Sequence, residues 1–355
     1  MLFRSTDDAG SDSSTNYYSA QNTAALNQAI ADILAKIEMA GFADAEINDG
    51  TTSQVTTTSG EVANLLVVDE SSYKYYRSGG SYGSMQQWAD APKAHLVNGT
   101  VEWDLSEVGV LENGVRYTVR FDCYPSQTTY DYIAQLKNGD IEYSDLDPEI
   151  QKYIVDNGGG SYSLRTNTNA RIKWDDTRDD AGRQTSTYKN PDPVRTDAVP
   201  MLTVAKEWEG GSADVTALPL TVLMDEKDFH TAALSTNNSW TAEFYISTGL
   251  IKDGQVLAGA KGHDFSFAEL DDSQYHWELE APTVRPMLID GGKNNDGKPN
   301  ILVKVDADHP APSGAATYEI DGATYYVDTA ASSLTATNHR RSNLNLTKAD
   351  RKSVV

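Results

Sequence analysis

The chain has 355 residues, one cysteine and a formal net charge of −23. That length suits two or three domains of about 150 residues each, and the charge argues against nucleic acid and anionic membranes as partners. The 19 tyrosines, the abundance of Thr, Ser, Val and Gly, and apolar positions that mostly alternate with polar ones predict a mainly β protein with solvated outer faces.

Residues 1–16 are rich in Ser and Asp and are read as a disordered start. Asn22 or Thr23 can cap a helix running to about Ala40, with Leu26, Ile30, Ile33, Leu34 and Ile37 on one stripe and Gly41 ending it. The run from Tyr17 to Ile33 resembles the last helix of a von Willebrand factor A domain. The resemblance implies that residues 1–45 are the end of a truncated domain of that type, without its metal-ion-dependent adhesion site. Asp49-Gly-Thr51-Thr-Ser53 has the Asp-x-Thr-x-Ser spacing of such a site but follows the helix instead of a first strand. Asp69-Glu-Ser71-Ser72 lacks the spacing, so no metal and no cofactor is expected.

Residues 46–197 read as one β-rich unit. Val101 to Leu105 and Tyr117 to Phe121 alternate as strands, with the turn Glu112-Asn113-Gly114 between them. Cys123 continues the second strand on the core side beside Val119 and Phe121, and a lone cysteine forms no disulfide within the chain. Ser126 caps a short helix from about Thr128 to Lys137, Asp147-Pro148 opens another, and Ala170 to Trp174 resumes the strands. Asn190-Pro-Asp-Pro193 marks a semi-rigid linker. The stretches Leu65–Ser72, Tyr124–Asp131 and Tyr162–Thr168 resemble a domain found between the von Willebrand A and Cna-B-type modules of Gram-positive surface and pilus-tip proteins. Lys74, Lys173 and Asn190 are the residues here that a cross-link could use, although their spacing does not set them apart from surface positions.

Residues 198–343 open on Leu202-Thr-Val204-Ala-Lys206-Glu-Trp208. A period of two puts Leu202, Val204, Lys206 and Trp208 on one face, with a lysine in the middle of apolar neighbours. A buried ammonium is costly unless it is paired, deprotonated or consumed by chemistry. Leu344-Asn-Leu346-Thr-Lys348 repeats the pattern, so residues 344–349 read as the start of a further module. Pro219–Met224, Ser239–Phe244, Asp264–Phe267, Tyr275–Glu280, Tyr325–Val327 and Leu334–Asn338 supply the remaining strands.

The order Val-x-Lys-x-Trp, Leu-Pro-Leu-Thr-Val, Tyr-x-Trp and Thr-Asn resembles the Cna-B-type repeat of bacterial adhesins and pilins, with residues 290–310 as an insertion. It implies tandem β-sandwich modules in an extracellular, cell-wall-anchored adhesin or pilus protein. Its partners would be neighbouring Cna-B-like modules and a host or extracellular-matrix ligand held by another part of the protein. The resemblance further implies a self-catalysed isopeptide bond between Lys206 as nucleophile and Asn338 as electrophile, promoted by a buried acid. Here the sequence departs from the family: Leu279 stands where a glutamate is usual. Glu280 is favoured as the acid, Glu278 is next and Asp264 is an outside candidate, the glutamates needing a β-bulge to reach the lysine's face.

A rival reading is a secreted carbohydrate-active or carbohydrate-binding protein, for which Glu278/Glu280 and Asp175/Asp176 are the carboxylate pairs to nominate. Asp290 to Gly297 has the composition of a calcium loop but no downstream glutamate at the right spacing, and is read as a turn. The six histidines show no ligand spacing. Finally, Leu2-Phe-Arg-Ser5 and Asp350-Arg-Lys-Ser-Val-Val355 are what CTC-TTC-CGA-TCT and GAT-CGG-AAG-AGC-GTC-GTG encode, the two strands of a common sequencing adapter. The reading frame is therefore expected to be cut at both ends, with 350–355 an adapter-derived tail.

Overall fold

The computed structural model describes residues 33–36, 42–176, 182–210, 216–269, 277–293 and 297–340. Residue contacts divide the chain into two compact units, one of Met1–Met201, Tyr245–Gly262 and Met287–Pro299, the other of Leu202–Phe244, His263–Pro286 and Asn300–Val355. The fold is mainly β, as the alternating pattern predicts.

The first unit's strands include β1 (Ile33–Lys36), β2 (Phe42–Thr51), β3 (Leu66–Gly79), β4 (Gly83–Gln87), β5 (His95–Val97), β6 (Thr100–Asp104) and β7 (Val115–Pro125). Helices α1 (Gln127–Asn138) and α2 (Pro148–Gln151) follow. Then come β8 (Ile154–Gly158), β9 (Ser161–Leu164), β10 (Asn167–Asp176), β11 (Arg183–Tyr188) and β12 (Val194–Arg195). One sheet has the order β1-β7-β3-β4, a second β11-β10-β2-β6-β5 and a third β8-β9-β12. The strands around Trp103 and Tyr117 therefore do not form the hairpin that their spacing suggests. Each joins a different sheet, because the 3-10 turn Ser106–Val108 redirects the chain between them.

The first two sheets meet through aromatic rings. Tyr75 of β3 lies 5.6 Å from Trp103 of β6, and Trp88, just after β4, lies 6.2 Å from the same ring. The polar handles of these rings are satisfied, Trp103 Nε1 donating to Pro92 O and Tyr75 Oη accepting from Ala94 N. Cys123 is buried on the core face with Val119 and Phe121, and burial pushes its thiol up, away from reactivity.

Both short helices begin where their caps predict. The Ser126 hydroxyl accepts from Thr129 N at 3.2 Å, and the Asp147 carboxylate accepts from Glu149 N at 2.8 Å. Gly139 closes α1 in the left-handed conformation at φ 76°. The long helix expected over 22–40 is corrected at its C-terminal part, since Ile33–Lys36 is a strand paired antiparallel with Tyr117, Val119 and their neighbours. Pairing with the open edge of β7 overrides the helical period there. The rest of that stretch lies outside the described residues.

Two stretches expected within the second module have their contacts in the first unit. Asn138 at the end of α1 exchanges two bonds with Tyr245, its amide donating to the carbonyl at 2.8 Å and its oxygen accepting from the N–H at 2.6 Å. Gln127 at the start of α1 donates to Ser247 Oγ and, through its backbone, to Gly259 O. Gly259 lies so close to Val67 that a Cβ would sit 2.2 Å from its side chain, which requires glycine.

In the second unit the strands are β13 (Met201–Glu209), β14 (Ala217–Met224), β15 (Lys227–Ser235), β16 (Thr241–Tyr245), β17 (Phe265–Glu269), β18 (Trp277–Glu280), β19 (Val284–Ile289), β20 (Asn300–Lys304), β21 (Thr317–Ile320), β22 (Ala323–Asp328) and β23 (Leu334–Arg340). One sheet has the order β16-β13-β23-β18, the other β15-β14-β17-β19-β20-β22-β21. The first and last strands, β13 and β23, are neighbours and run parallel. Leu202, Val204, Leu334 and Ala336 are buried with Leu220, Val222 and Phe265 of the facing sheet.

Candidate cross-link site

Lys206 and Asn338 are brought together. In the parallel register Lys206 is opposite Ala336 and Trp208 is opposite Asn338, so the lysine stem reaches one pleat along the partner strand. Its Nζ lies 2.6 Å from Asn338 Oδ1. Lys206 is 4% exposed and Asn338 2% exposed. The ring of Trp208 lies 5.3 Å from the Nζ, in range of a cation–π contact. An amine and a carboxamide held together away from water have the proximity that acyl transfer requires.

The acids are distributed differently. β18 pairs with β23 in regular register, with Leu279 opposite Asn338, Glu280 opposite Thr337 and Glu278 opposite His339. With no bulge, the parity that carries Asn338 toward Lys206 carries Glu280 away. Its side chain is 61% exposed, and its Oε2 lies 2.7 Å from His339 Nε2. This corrects the placement expected for Glu280. The side chain of Glu278 lies outside the described residues.

Asp264 belongs to another network. It accepts from Arg285 Nε at 2.8 Å and from the Tyr325 hydroxyl at 2.9 Å, with Lys304 Nζ at 3.4 Å, and Arg285 also reaches Asp321 at 3.2 Å. Burial, then the Asp264 charge, push the Tyr325 hydroxyl up. Arg285 is the buried cation of this network, and removing it takes the shortest ion pair from Asp264. Arg285→Met should lower the unfolding free energy by about 3 kcal/mol, seen as an earlier urea midpoint with an unchanged slope.

Glu280 also lines an open cleft of 310 Å³ with Glu209, His309, Asp328 and His339. Among the described lining residues none carries a Tyr, Trp or Phe ring on which a sugar could stack, and Asp175 and Asp176 lie in the other unit. Among the described residues no group of three or more His, Cys, Asp or Glu side chains is placed to hold a metal, and no helix is long and apolar enough to cross a membrane.

The first unit has its own buried polar pair, which sequence reasoning weighed only as a metal loop. Asp49 of β2 is 2% exposed and accepts from Asn167 Nδ2 of β10 at 2.5 Å. Thr51 and Ser53, the rest of that motif, bond to each other at 2.8 Å. Burial pushes the Asp49 carboxyl up to about 7 against the pull of Asn167. Lys74, Lys173 and Asn190 do not meet. Lys74 is exposed, Lys173 pairs with Glu46 at 3.2 Å, and Asn190 donates to Thr168 O.

Residues 25–194 match the model of a family described as a Domain of unknown function (DUF7604). No curated protein matches the chain. Among solved structures the chain is similar to the pilus adhesin SpaC from Lactobacillus rhamnosus GG in an open conformation, at 12% identity and a TM-score of 0.34, covering 84% of this chain and 41% of that one. It is also similar to BcpA, the major pilin subunit of Bacillus cereus, at 9% identity and a TM-score of 0.27, covering 85% of this chain and 60% of that one. Domains D2 and D3 of the major pilin SpaD from Corynebacterium diphtheriae give 9% identity and a TM-score of 0.26, covering 85% of this chain and 88% of theirs. The chain thus spans about two fifths of the SpaC chain it matches.

Proposed function

We propose that this chain is a structural stalk segment of a cell-wall-anchored adhesin or pilus protein, stiffened by an amide bond between Lys206 and Asn338. The observation that carries this reading is the buried 2.6 Å approach of Nζ to Oδ1 between the first and last strands of one unit. The resemblance of residues 198–343 to Cna-B-type repeats supports it. In this reading the protein lies outside the cell beside further modules of its kind, a host or matrix ligand is engaged elsewhere in a longer protein, and no substrate is turned over.

The chemistry follows from burial. An apolar surround favours the neutral amine over the ammonium, and the neutral Nζ has the lone pair to attack Asn338 Cγ. The Nζ–Cγ bond forms, the Cγ–Nδ2 bond breaks, and Nδ2 leaves as ammonia with a proton that began on Nζ. A carboxylic acid would hydrogen-bond the amide oxygen and relay that proton. His339 holds Glu280 at the surface and Asp264 is committed to Arg285 and Tyr325, so neither is assigned to that role.

The intact mass of the purified chain should be lower than calculated by one ammonia, whereas Lys206→Ala and Asn338→Ala each have their calculated mass. Peptide mapping should join Lys206 to Asn338. A wild-type mass equal to the calculated one overturns the cross-link.

A further inference from the structure

The segment leading into β16 is built against ordinary backbone preference. Ser239 and Trp240 are consecutive left-handed residues, at φ 55° and 59°. Glycine, Asn and Asp tolerate this region, whereas a bulky side chain there is a true outlier that persists only where its surroundings hold it. The holding contacts are visible. Trp240 N donates to Ser235 O at 2.9 Å, and Trp240 O accepts from the backbone N–H of Lys206, also at 2.9 Å. The strained residue is thus bonded directly to the lysine of the candidate site.

Its side chain acts on the same place. The Trp240 ring meets the Trp208 ring edge-on, with centroids 5.4 Å apart. Trp208 is the residue in register with Asn338, and its ring lies 5.3 Å from Lys206 Nζ. Both tryptophans are only half-buried, so they stand between the buried pair and solvent. A glycine or asparagine at position 240 would make the same turn without strain, but without a ring to brace Trp208.

We infer that Trp240 is a positioning residue whose left-handed turn braces Trp208 as a lid over Lys206 and Asn338, keeping water from the amine and the carboxamide while they react. This rests on the cross-link reading for its purpose, but the lid itself can be tested without the bond. Sequence alone marks Trp208 through strand parity and gives no sign of Trp240, whose role depends on a backbone conformation.

The experiment uses the whole chain and three substitutions: Trp240→Asn and Trp240→Gly, which suit the turn and remove the ring, and Trp208→Phe, which keeps an aromatic face. In an Asn338→Ala background, where the Lys206 amine cannot be acylated within the chain, acetylation by an N-hydroxysuccinimide ester is followed at Lys206 by peptide mass. Both Trp240 variants should raise its labelling rate about tenfold or more, the scale on which admitting water to a closed site acts, and Trp208→Phe should stay near the parent. In the otherwise wild-type chain, recovered from inclusion bodies before it has folded and at its full calculated mass, ammonia loss after refolding is timed by intact mass. The Trp240 variants should slow it about tenfold although they relieve backbone strain, and Trp208→Phe should largely keep the wild-type rate. Unchanged labelling overturns the lid. Faster labelling with an unchanged rate of ammonia loss overturns the positioning role and leaves a packing contact. If the wild type loses no ammonia the cross-link reading fails, and the labelling result still decides whether the lid exists.

Discussion

Lys206→Ala should lower the melting temperature of the second unit by about 10–20 °C in calorimetry of the whole chain. Lys206 and Asn338 are 132 residues apart, and closing a loop of that length removes about 5 kcal/mol of chain entropy from the unfolded state, by analogy with a disulfide. For a domain of this size each kcal/mol moves the midpoint by about 2–4 °C. Asn338→Ala should cost nearly as much, and the double variant scarcely more than either single one, because both remove the same bond. Without the bond, Lys206→Ala would strand the Asn338 carbonyl at a cost of about 1–3 kcal/mol, and the single losses would fall to the lower end or below. A shift of a few degrees would therefore argue against the covalent link even before the mass is measured.

The second large effect is expected in the other unit. Asp49→Asn should stabilise it above pH 7 by up to about 4 kcal/mol, measured by urea unfolding across a pH series. In the folded protein burial pushes this carboxyl up to about 7 from an ordinary 3.8. Between those values the folded state holds a proton that the unfolded state has released. Stability from this group is therefore complete below about pH 4 and falls as pH rises toward 7. Asparagine keeps a polar partner for Asn167 and has no proton to lose, so the variant's pH–stability curve should be flatter over that range. If wild type and variant run parallel from pH 4 to 8, the Asp49 carboxyl is not held in the way its burial and single amide partner indicate.

Much of the second unit was legible from period two alone. Leu202, Val204 and Lys206 share a buried face, and the strands around Leu220, Phe244, Phe265, Tyr325 and Ala336 form where alternation places them. The meeting of Lys206 with Asn338 follows from strand parity once the two strands are neighbours, and the resemblance supplied that neighbourhood. Glu280 was misplaced because a bulge was invoked to rescue a carboxylate, whereas β18 is regular and Leu279 keeps the position opposite Asn338. The docking of 245–262 beside α1 was not legible, because it rests on single polar groups, Gln127 and Asn138, that leave no periodic trace. Asp49 was read for its spacing to Thr51 and Ser53, whereas its chemistry is set by Asn167, more than a hundred residues away.

The parallel pairing of β13 with β23 has a mechanical meaning. Because the two strands run the same way, the chain enters the unit at one end of the sheet and leaves at the other. Tension applied along the chain therefore loads the rungs between these strands all at once, in shear, and does not peel them one at a time. With Nζ and Cγ joined, the pull would bypass the chain between positions 132 apart. That withholds about 450 Å of contour length at roughly 3.4 Å per residue, so the unit would behave as a nearly inextensible link and Lys206→Ala would turn it into a long extensible one.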